Sequence, residues 1–414
     1  MIKRFIIIVA LLSTVLMAAQ EGTSSPYSYY GIGLNKFKGT VENQSMGGLR
    51  LFSDSIHVNL RNPAAYGRLK LTTYTVAGST QSIKLTGDEG SENSKTTTLD
   101  YLAIGIPTGK LNFGLGLIPY TSVGYRILDV NEETANRFTG RGGMNKVFLT
   151  AGYALTEDLS IGVEADYNFG NSQNTFTAFQ AGVQYGTREI SRNDFKGFSY
   201  NFGLDYQHDL SEELRMYSAI TFAPKMSINL DKMVNTATVR IGLDGTEQVT
   251  DEVDVNSEDN ELTLPGQLTI GAGLGKVNKW FMGAEYTNLK ASDFGLNSSI
   301  TGQNSNYKDA SQYRLGGFYI PKYNSITSYL SRVVYRAGVR YEETGLSINN
   351  EDINEFGISF GLGLPAGTDF SNVNLGLEYG QRGTTSSGLI KENFFKVSIS
   401  LSLNDKWFQQ RKFD

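Results

Sequence analysis

No cysteine occurs anywhere in the 414 residues. That excludes a disulfide framework, a thiolate metal site and a lipidated cysteine behind a leader peptide. Histidine is nearly as scarce, with only His57 and His208, so general acid–base chemistry has little to draw on. Charge of neither sign dominates: the net charge of -5 leaves no footprint for nucleic acid. Long apolar runs are missing too. Apart from one run over residues 5–17, no segment approaches the ~20 apolar residues of a spanning helix. A membrane protein built from this chain must therefore be a barrel. What the chain does have is 46 Gly, 23 Tyr and 23 Phe against 8 Pro. That balance suits many strands with small inward residues and aromatic girdles.

The single apolar run follows Lys3 and Arg4 and ends before Ala18-Ala19. A basic start, a short apolar core and small residues mark a secretory signal peptide over residues 1–19. By length alone the rest of the chain could form two domains. No linker or compositional break separates them.

Strict alternation is the main structural signal. Phe395-Lys396-Val397-Ser398-Ile399-Ser400-Leu401-Ser402-Leu403 alternates apolar and polar residues without a break, and similar runs recur from Leu69 onward. Each strand then has one oily and one polar face. Connections alternate between short and long. The short ones are near residues 107–110, 156–158, 209–212, 275–278 and 365–369; the long polar ones cover 128–143, 171–195, 230–260, 293–309 and 383–391. Short turns at one rim and long loops at the other are the mark of an outer-membrane barrel, whereas the loops of a soluble sandwich need not alternate in length. About fourteen strands are expected, an even number as single-chain barrels require. Their predicted starts are near residues 69, 96, 111, 144, 159, 196, 213, 261, 279, 310, 332, 353, 371 and 392. Residues 175–189 are assigned to an extended extracellular hairpin, and residues 321–332 to a longer periplasmic connection with one helical turn. Outward rows include Leu111, Phe113, Leu115 and Leu117; Phe356, Ile358, Phe360, Leu362 and Leu364; and Val373, Leu375, Leu377 and Tyr379. Trp280 and Trp407 fall beside the short-turn rim, where interfacial aromatics are favoured.

Ahead of the first strand, Gly47-Gly48-Leu49-Arg50-Leu51-Phe52-Ser53-Asp54-Ser55 and Asn62-Pro63-Ala64 resemble the hatch of the FadL/TodX family of outer-membrane channels. Similar stretches are Gly116-Leu117-Ile118-Pro119-Tyr120 and Gly140-Arg141-Gly142-Gly143-Met144-Asn145, and the ending through Trp407-Phe408 is similar to the Bacteroidota branch. The final Arg411-Lys412-Phe413-Asp414 departs from the terminal aromatic of that pattern. The resemblance implies an all-β fold: a transmembrane antiparallel barrel of about fourteen strands, residues 69–408, with an N-terminal plug over residues 20–68 inside it and a periplasmic tail over 409–414. It also implies a hatch motif at Asn62, Pro63 and Ala64, both mature termini toward the periplasm, and passage of fatty acids or hydrocarbons. Some members of this branch instead serve as shuttles or subunits of envelope complexes.

Read physically, Asn62-Pro63 is a fixed turn. Pro119 is more informative, because within a strand its missing N–H breaks a ladder bond. A kink or inward bend at Pro119 and Tyr120 resolves the conflict, and so does a strand whose upper end Pro119 simply marks; the resemblance to the FadL/TodX family implies the kink, in a third strand that opens sideways. The alternation turns Arg314, Arg336 and Arg340 inward, together with Glu164, Asp166, Asp205, Glu285 and Glu378. These make either a structural ion-pair network or, at the arginines, an anchor for an anionic head group. His208-Asp209 faintly resembles the pair of a barrel protease but sits on the short-turn rim. The acidic residues 251–259 lack a calcium loop's central glycine and are expected as a solvated outer loop. Gly271-Ala272-Gly273 lies within a strand, so no phosphate loop is expected. No cofactor and no catalytic residue is assigned. The expected partners are outer-membrane lipid, lipopolysaccharide, a hydrophobic ligand and, on the alternative reading, an envelope protein complex.

Overall fold

The computed structural model describes residues 22–88, 90–241, 246–256, 260–294, 305–366 and 371–407. The expected signal peptide and C-terminal tail lie outside these described residues. A two-residue strand, β1 (Leu34–Asn35), precedes the wall. The wall begins with β2 (Thr72–Gly87), β3 (Gly90–Pro107), β4 (Leu111–Pro119), β5 (Thr121–Val130), β6 (Thr134–Ala154), β7 (Leu159–Gln180) and β8 (Gly186–Asp209). It continues with β9 (Arg215–Ala223), β10 (Met226–Ile241), β11 (Glu247–Asn256), β12 (Asn260–Leu264), β13 (Gln267–Lys276) and β14 (Trp280–Leu289). It ends with β15 (Ser305–Tyr307), β16 (Ala310–Tyr319), β17 (Val334–Ile348), β18 (Glu351–Ala366), β19 (Ser371–Arg382) and β20 (Lys391–Asp405). Every pairing is antiparallel, and β20 returns to pair with β2 from Thr72↔Asp405 to Thr86↔Lys391, which closes the sheet. The barrel has 14 staves, because β4–β5, β9–β10, β11–β13 and β15–β16 are each one stave in pieces.

Burial shows which face meets what. On β20, Phe395, Val397, Ile399, Leu401 and Leu403 are exposed, while Ser398, Ser400 and Ser402 are buried. Apolar side chains stand outside and hydroxyls inside, the reverse of a soluble sandwich. The same holds for Leu111, Phe113, Leu115 and Leu117 around buried Asn112, and for Phe356, Phe360 and Leu362 around buried Ser359. Such an outer surface is stable only against hydrocarbon. Phe360→Arg, within the outward apolar row of β18, is therefore expected to destabilise the barrel by about 1–4 kcal/mol in vesicles. Urea unfolding with Phe360→Leu as control checks this, and equal stability of the two variants would refute the outward assignment on β18.

The stretches expected as long loops at 128–143, 171–195 and 230–260 are instead largely continuous ladder. β6 pairs with β7 from Thr134↔Gln180 to Ala154↔Ser160, and β7 with β8 up to Ala178↔Thr187. Of the acidic residues 251–259, expected as a solvated loop, 251–256 lie in β11, paired to β10, and 257–259 lie outside the described residues. A barrel strand needs only ~9–11 residues to cross hydrocarbon, so these 21- to 24-residue strands run far past it. Outside the membrane both faces meet water, so the alternation fades while the backbone pairing persists. On the opposite rim, the turn between β3 and β4 spans only 108–110, and among the described residues the one longer connection, 320–333, carries the expected helical turn, Leu330–Arg332.

Candidate functional site

Residues 22–71 pack against the inward faces of the wall on all sides. Arg50 donates from its backbone N–H to Glu285 Oε2 (2.8 Å), from Nε to Glu285 Oε1 (3.2 Å) and from Nη1 to Thr221 (2.8 Å). Gln44 donates to Glu378 (2.6 Å), Gly47 N–H to Ser359 (2.9 Å), and Ser53 to Asp205 (2.7 Å). Glu42 accepts from Asn374 (2.8 Å), Tyr101 from the Val41 N–H (3.1 Å), and Ser25 bonds Glu392. These partners sit on β3, β8, β9, β14, β18, β19 and β20. The close approach needs small wall residues. A Cβ at Gly338 would lie 2.1 Å from the Gly47 nitrogen.

Asn62, Pro63 and Ala64 form one anchor of this segment. Asn62 Oδ1 accepts from the Ala64 N–H (3.1 Å), and Pro63 opens the 3-10 turn Pro63–Arg68, where its missing donor costs nothing. The turn seats Tyr66, fully buried, against Gly114, and Asn112 donates to the Tyr66 carbonyl (2.8 Å). Arg68 pairs with Asp205.

The segment divides the lumen. A cavity of about 940 Å³ lies at the short-turn rim, lined by Phe52, Asp54, His57, Tyr217, Phe318 and Tyr323 among others. In it His57 Nδ1 stands 2.7 Å from Asp54 Oδ2. Burial alone would lower the His57 pKa, but the Asp54 carboxylate outweighs it and raises the pKa above the ordinary imidazole value. A second cavity, about 240 Å³, lies on the side of the long hairpins. Lys36, Lys38, Arg61, Phe37 and Tyr120 line it, with Arg314 and Arg340.

Arg314, Arg336 and Arg340 all face inward. Arg340 bonds Glu355 and lies 2.7 Å from Glu378, Arg314 lies 3.5 Å from Glu285, and Arg336 donates to Asn374 (3.1 Å). Lys146 likewise meets Glu164 (3.0 Å) and Asp166 (3.1 Å). Lys36, Lys38 and Arg61 differ: among the described residues none has a carboxylate partner. Lys36 donates to the Gly22 carbonyl, Arg61 to the Gly48 carbonyl, and the Lys38 ammonium stands 3.4 Å from the Tyr120 ring centroid. Sequence phase could not find these three, because they lie on irregular chain.

Pro119 stands just past the end of the β3–β4 ladder. β4 pairs with β3 only as far as Leu102↔Leu117. Beyond Tyr120, β5 pairs with β6 and with β1 (Leu34↔Ser122, Asn35↔Thr121), while residues 90–101 of β3 have no strand on that edge among the described residues. The bend turns residues 121–125 into a buried row. Opposite it, Gly142 and Gly143 of β6 hold φ of 107° and 146°. A Cβ on Gly143 would come within 2.4 Å of the Thr121 carbonyl oxygen. Pro224 and Pro265 interrupt two adjacent staves at one level, with Ala223↔Gln267 below and Met226↔Leu264 above. Their signal, proline inside alternating runs, was present in the sequence and was missed.

His208 bonds Asp158 (2.7 Å) and Asp209 bonds Arg215 (2.6 Å), both pairs on the exposed short-turn rim; Arg215 lines the larger cavity, whereas His208, Asp158 and Asp209 line neither.

Solved structures share this architecture. The CymD monoaromatic hydrocarbon channel matches with a TM-score of 0.60 at 15% identity, over 90% of this chain and 99% of that one. The Pseudomonas putida toluene transporter TodX matches with 0.57 at 14% identity, over 89% and 98%. No curated protein matches the sequence. A family model described as BamG matches residues 1–414.

Proposed function

The chain belongs to the BamG family, and from its geometry we propose that it is an outer-membrane channel for passive uptake of a hydrophobic or amphipathic small molecule. One observation carries this reading: the broken third stave at Pro119 and Tyr120 stands beside a lumen cavity that residues 22–71 close off below. Ligand enters from the long-hairpin side or sideways at the bend. Movement of the segment around Asn62, Pro63 and Ala64 then joins the two cavities. The short-turn rim and both mature termini face the periplasm, and the long hairpins meet lipopolysaccharide. Lys38 and Arg61, lacking carboxylates, are better head-group anchors than Arg314, Arg336 or Arg340, whose guanidinium groups already hold wall residues. A strain lacking the gene should take up a labelled long-chain fatty acid more slowly, and the intact gene should restore it. Unchanged uptake would refute the transport reading.

The long paired hairpins favour a second reading, a structural or shuttle subunit of an envelope complex. A channel does not need strands that continue so far beyond hydrocarbon, and a docking surface does. Stable co-purification with larger envelope proteins, with uptake unaffected by deletion, would select it.

A further inference from the structure

We propose that the short-turn rim between β14 and β17 carries a binding site for an anionic phospholipid head group of the adjoining leaflet. The site rests on the connection 320–333, the one long link on that rim among the described residues, and on the β13–β14 turn beside it. From residue 310 to residue 341 the sequence contains no Asp or Glu, yet it contains Lys322 and Arg332. Lys279 joins them from the neighbouring turn.

Backbone and side-chain contacts bring the three cationic residues to one corner of the rim. Lys279 donates its ammonium to the Pro321 carbonyl (2.7 Å) and stands 5.2 Å from the Tyr319 ring centroid. The Ile320 N–H donates to the Lys279 carbonyl (2.7 Å), and the Lys322 N–H to the Ser331 carbonyl (2.7 Å), which sets Lys322 beside Arg332. The Arg332 guanidinium lies 5.4 Å from the Tyr329 ring centroid, and its buried Nε–H has no hydrogen-bond partner. None of the three has a carboxylate partner among the described residues. Elsewhere on the same rim, Arg68, Arg215 and Lys276 are paired with Asp205, Asp209 and Glu213, while Lys70 and Lys110, which belong to separate connections, also have no carboxylate partner among the described residues. The corner therefore holds positive charge that the protein does not neutralise.

The place of this corner decides the occupant. Tyr319 and Tyr335 stand outward, 49% and 39% exposed, at the ends of the lipid-facing rows of β16 and β17. Tyr335 donates its hydroxyl to the Leu330 carbonyl (3.2 Å), and Tyr329 donates to the Pro365 carbonyl (3.0 Å). Residues 329–330 are thus tied beside the lipid-facing belt at Tyr335, while Ile320, Tyr323 and Arg332 of the same connection line the short-turn-rim cavity. Leu330 is 67% exposed and Ile326 wholly exposed. Apolar tips with tyrosines and unpaired cations just beyond an apolar belt match the acyl chains, interface and phosphate of a lipid. An acidic protein segment would meet the same cations but would leave the outward tyrosines and Leu330 uncovered.

Protein reconstituted in phosphatidylcholine nanodiscs containing one fifth phosphatidylglycerol should retain phosphatidylglycerol preferentially on release for native mass spectrometry. The expected loss is about fivefold in that preference for each cation removed. Lys322→Gln alone tests one exposed charge with little risk to folding, and the combination with Lys279→Gln and Arg332→Gln tests the set. Lys110→Gln, on another turn of the same rim, should leave the preference unchanged. A heat-induced shift on gel electrophoresis verifies that each barrel is folded. Equal retention of both lipids by the unaltered protein would overturn the proposal, and so would a preference that survives the triple variant. Loss of a bound acidic protein from the triple variant, with lipid preference intact, would overturn it as well. The readout needs no transport, so its failure is separate from failure of the uptake reading.

Discussion

Arg50→Ala is expected to release the N-terminal segment from the wall and raise single-channel conductance in planar bilayers. Glu285 has no exposed side-chain surface, and Arg50 gives it both a backbone and a side-chain hydrogen bond. Without that side chain, Glu285 keeps the Arg50 backbone N–H and Arg314 at 3.5 Å, a longer contact. Breaking a buried pair from one side costs about 3–5 kcal/mol, because the other charge stays buried without its full set of partners. The cost falls on the docked state of the segment, since undocking lets water reach Glu285. The wall ladders do not pass through this pair, so the barrel itself should persist. Protease cleavage within residues 22–71 should accelerate in parallel. Replacing both partners by apolar residues, as in Arg50→Met with Glu285→Leu, should recover part of the closed state, since neither member of the pair is left as an unmatched buried charge, although the Arg50 backbone N–H and Arg314 lose their acceptor. A closed, protease-resistant Arg50→Ala protein would show that this pair does not hold the segment.

The wall was legible because hydrocarbon imposes alternation, and the inward turn of Arg314, Arg336 and Arg340 followed from phase alone. Legibility stopped at two physical limits. Past the membrane, polar residues occupy both faces, so residues 171–174 of β7 and 190–195 of β8 looked like loop although, with the hairpin expected at 175–189, they pair without interruption. Inside the lumen the chain is irregular, so no periodicity places Lys38 above Tyr120 or Arg50 against Glu285. Pro119 was readable because a missing donor has a direct consequence in a ladder. The glycines that complete the bend were quoted for their resemblance but carried no geometry until φ was known.

Those glycines decide what a substitution at the bend should do. Tyr120 donates its N–H to the Met144 carbonyl of β6 (2.7 Å), so by alternation the nitrogen of Pro119 faces β3. Pro119→Ala restores one donor toward β3 but leaves the rest of the bend in place. Gly142 and Gly143 still hold backbone angles that other residues rarely adopt, and β1 still occupies the inner edge of β5. Uptake by Pro119→Ala should therefore change little. Gly143→Val should act far more strongly. A β-branched residue at φ 146° is strained by about 1–3 kcal/mol. Its Cβ would also meet the Thr121 carbonyl oxygen at 2.4 Å, a backbone atom that cannot swing aside. Relief requires β5 to move off β6, which takes Ser122 away from Leu34 and displaces Tyr120 from Lys38. A barrel that still shows its heat-induced gel shift but takes up labelled fatty acid no faster than the deletion strain is the expected result. Normal uptake by a folded Gly143→Val protein would remove the bend from the route and leave the lumen's long-hairpin mouth as the entrance.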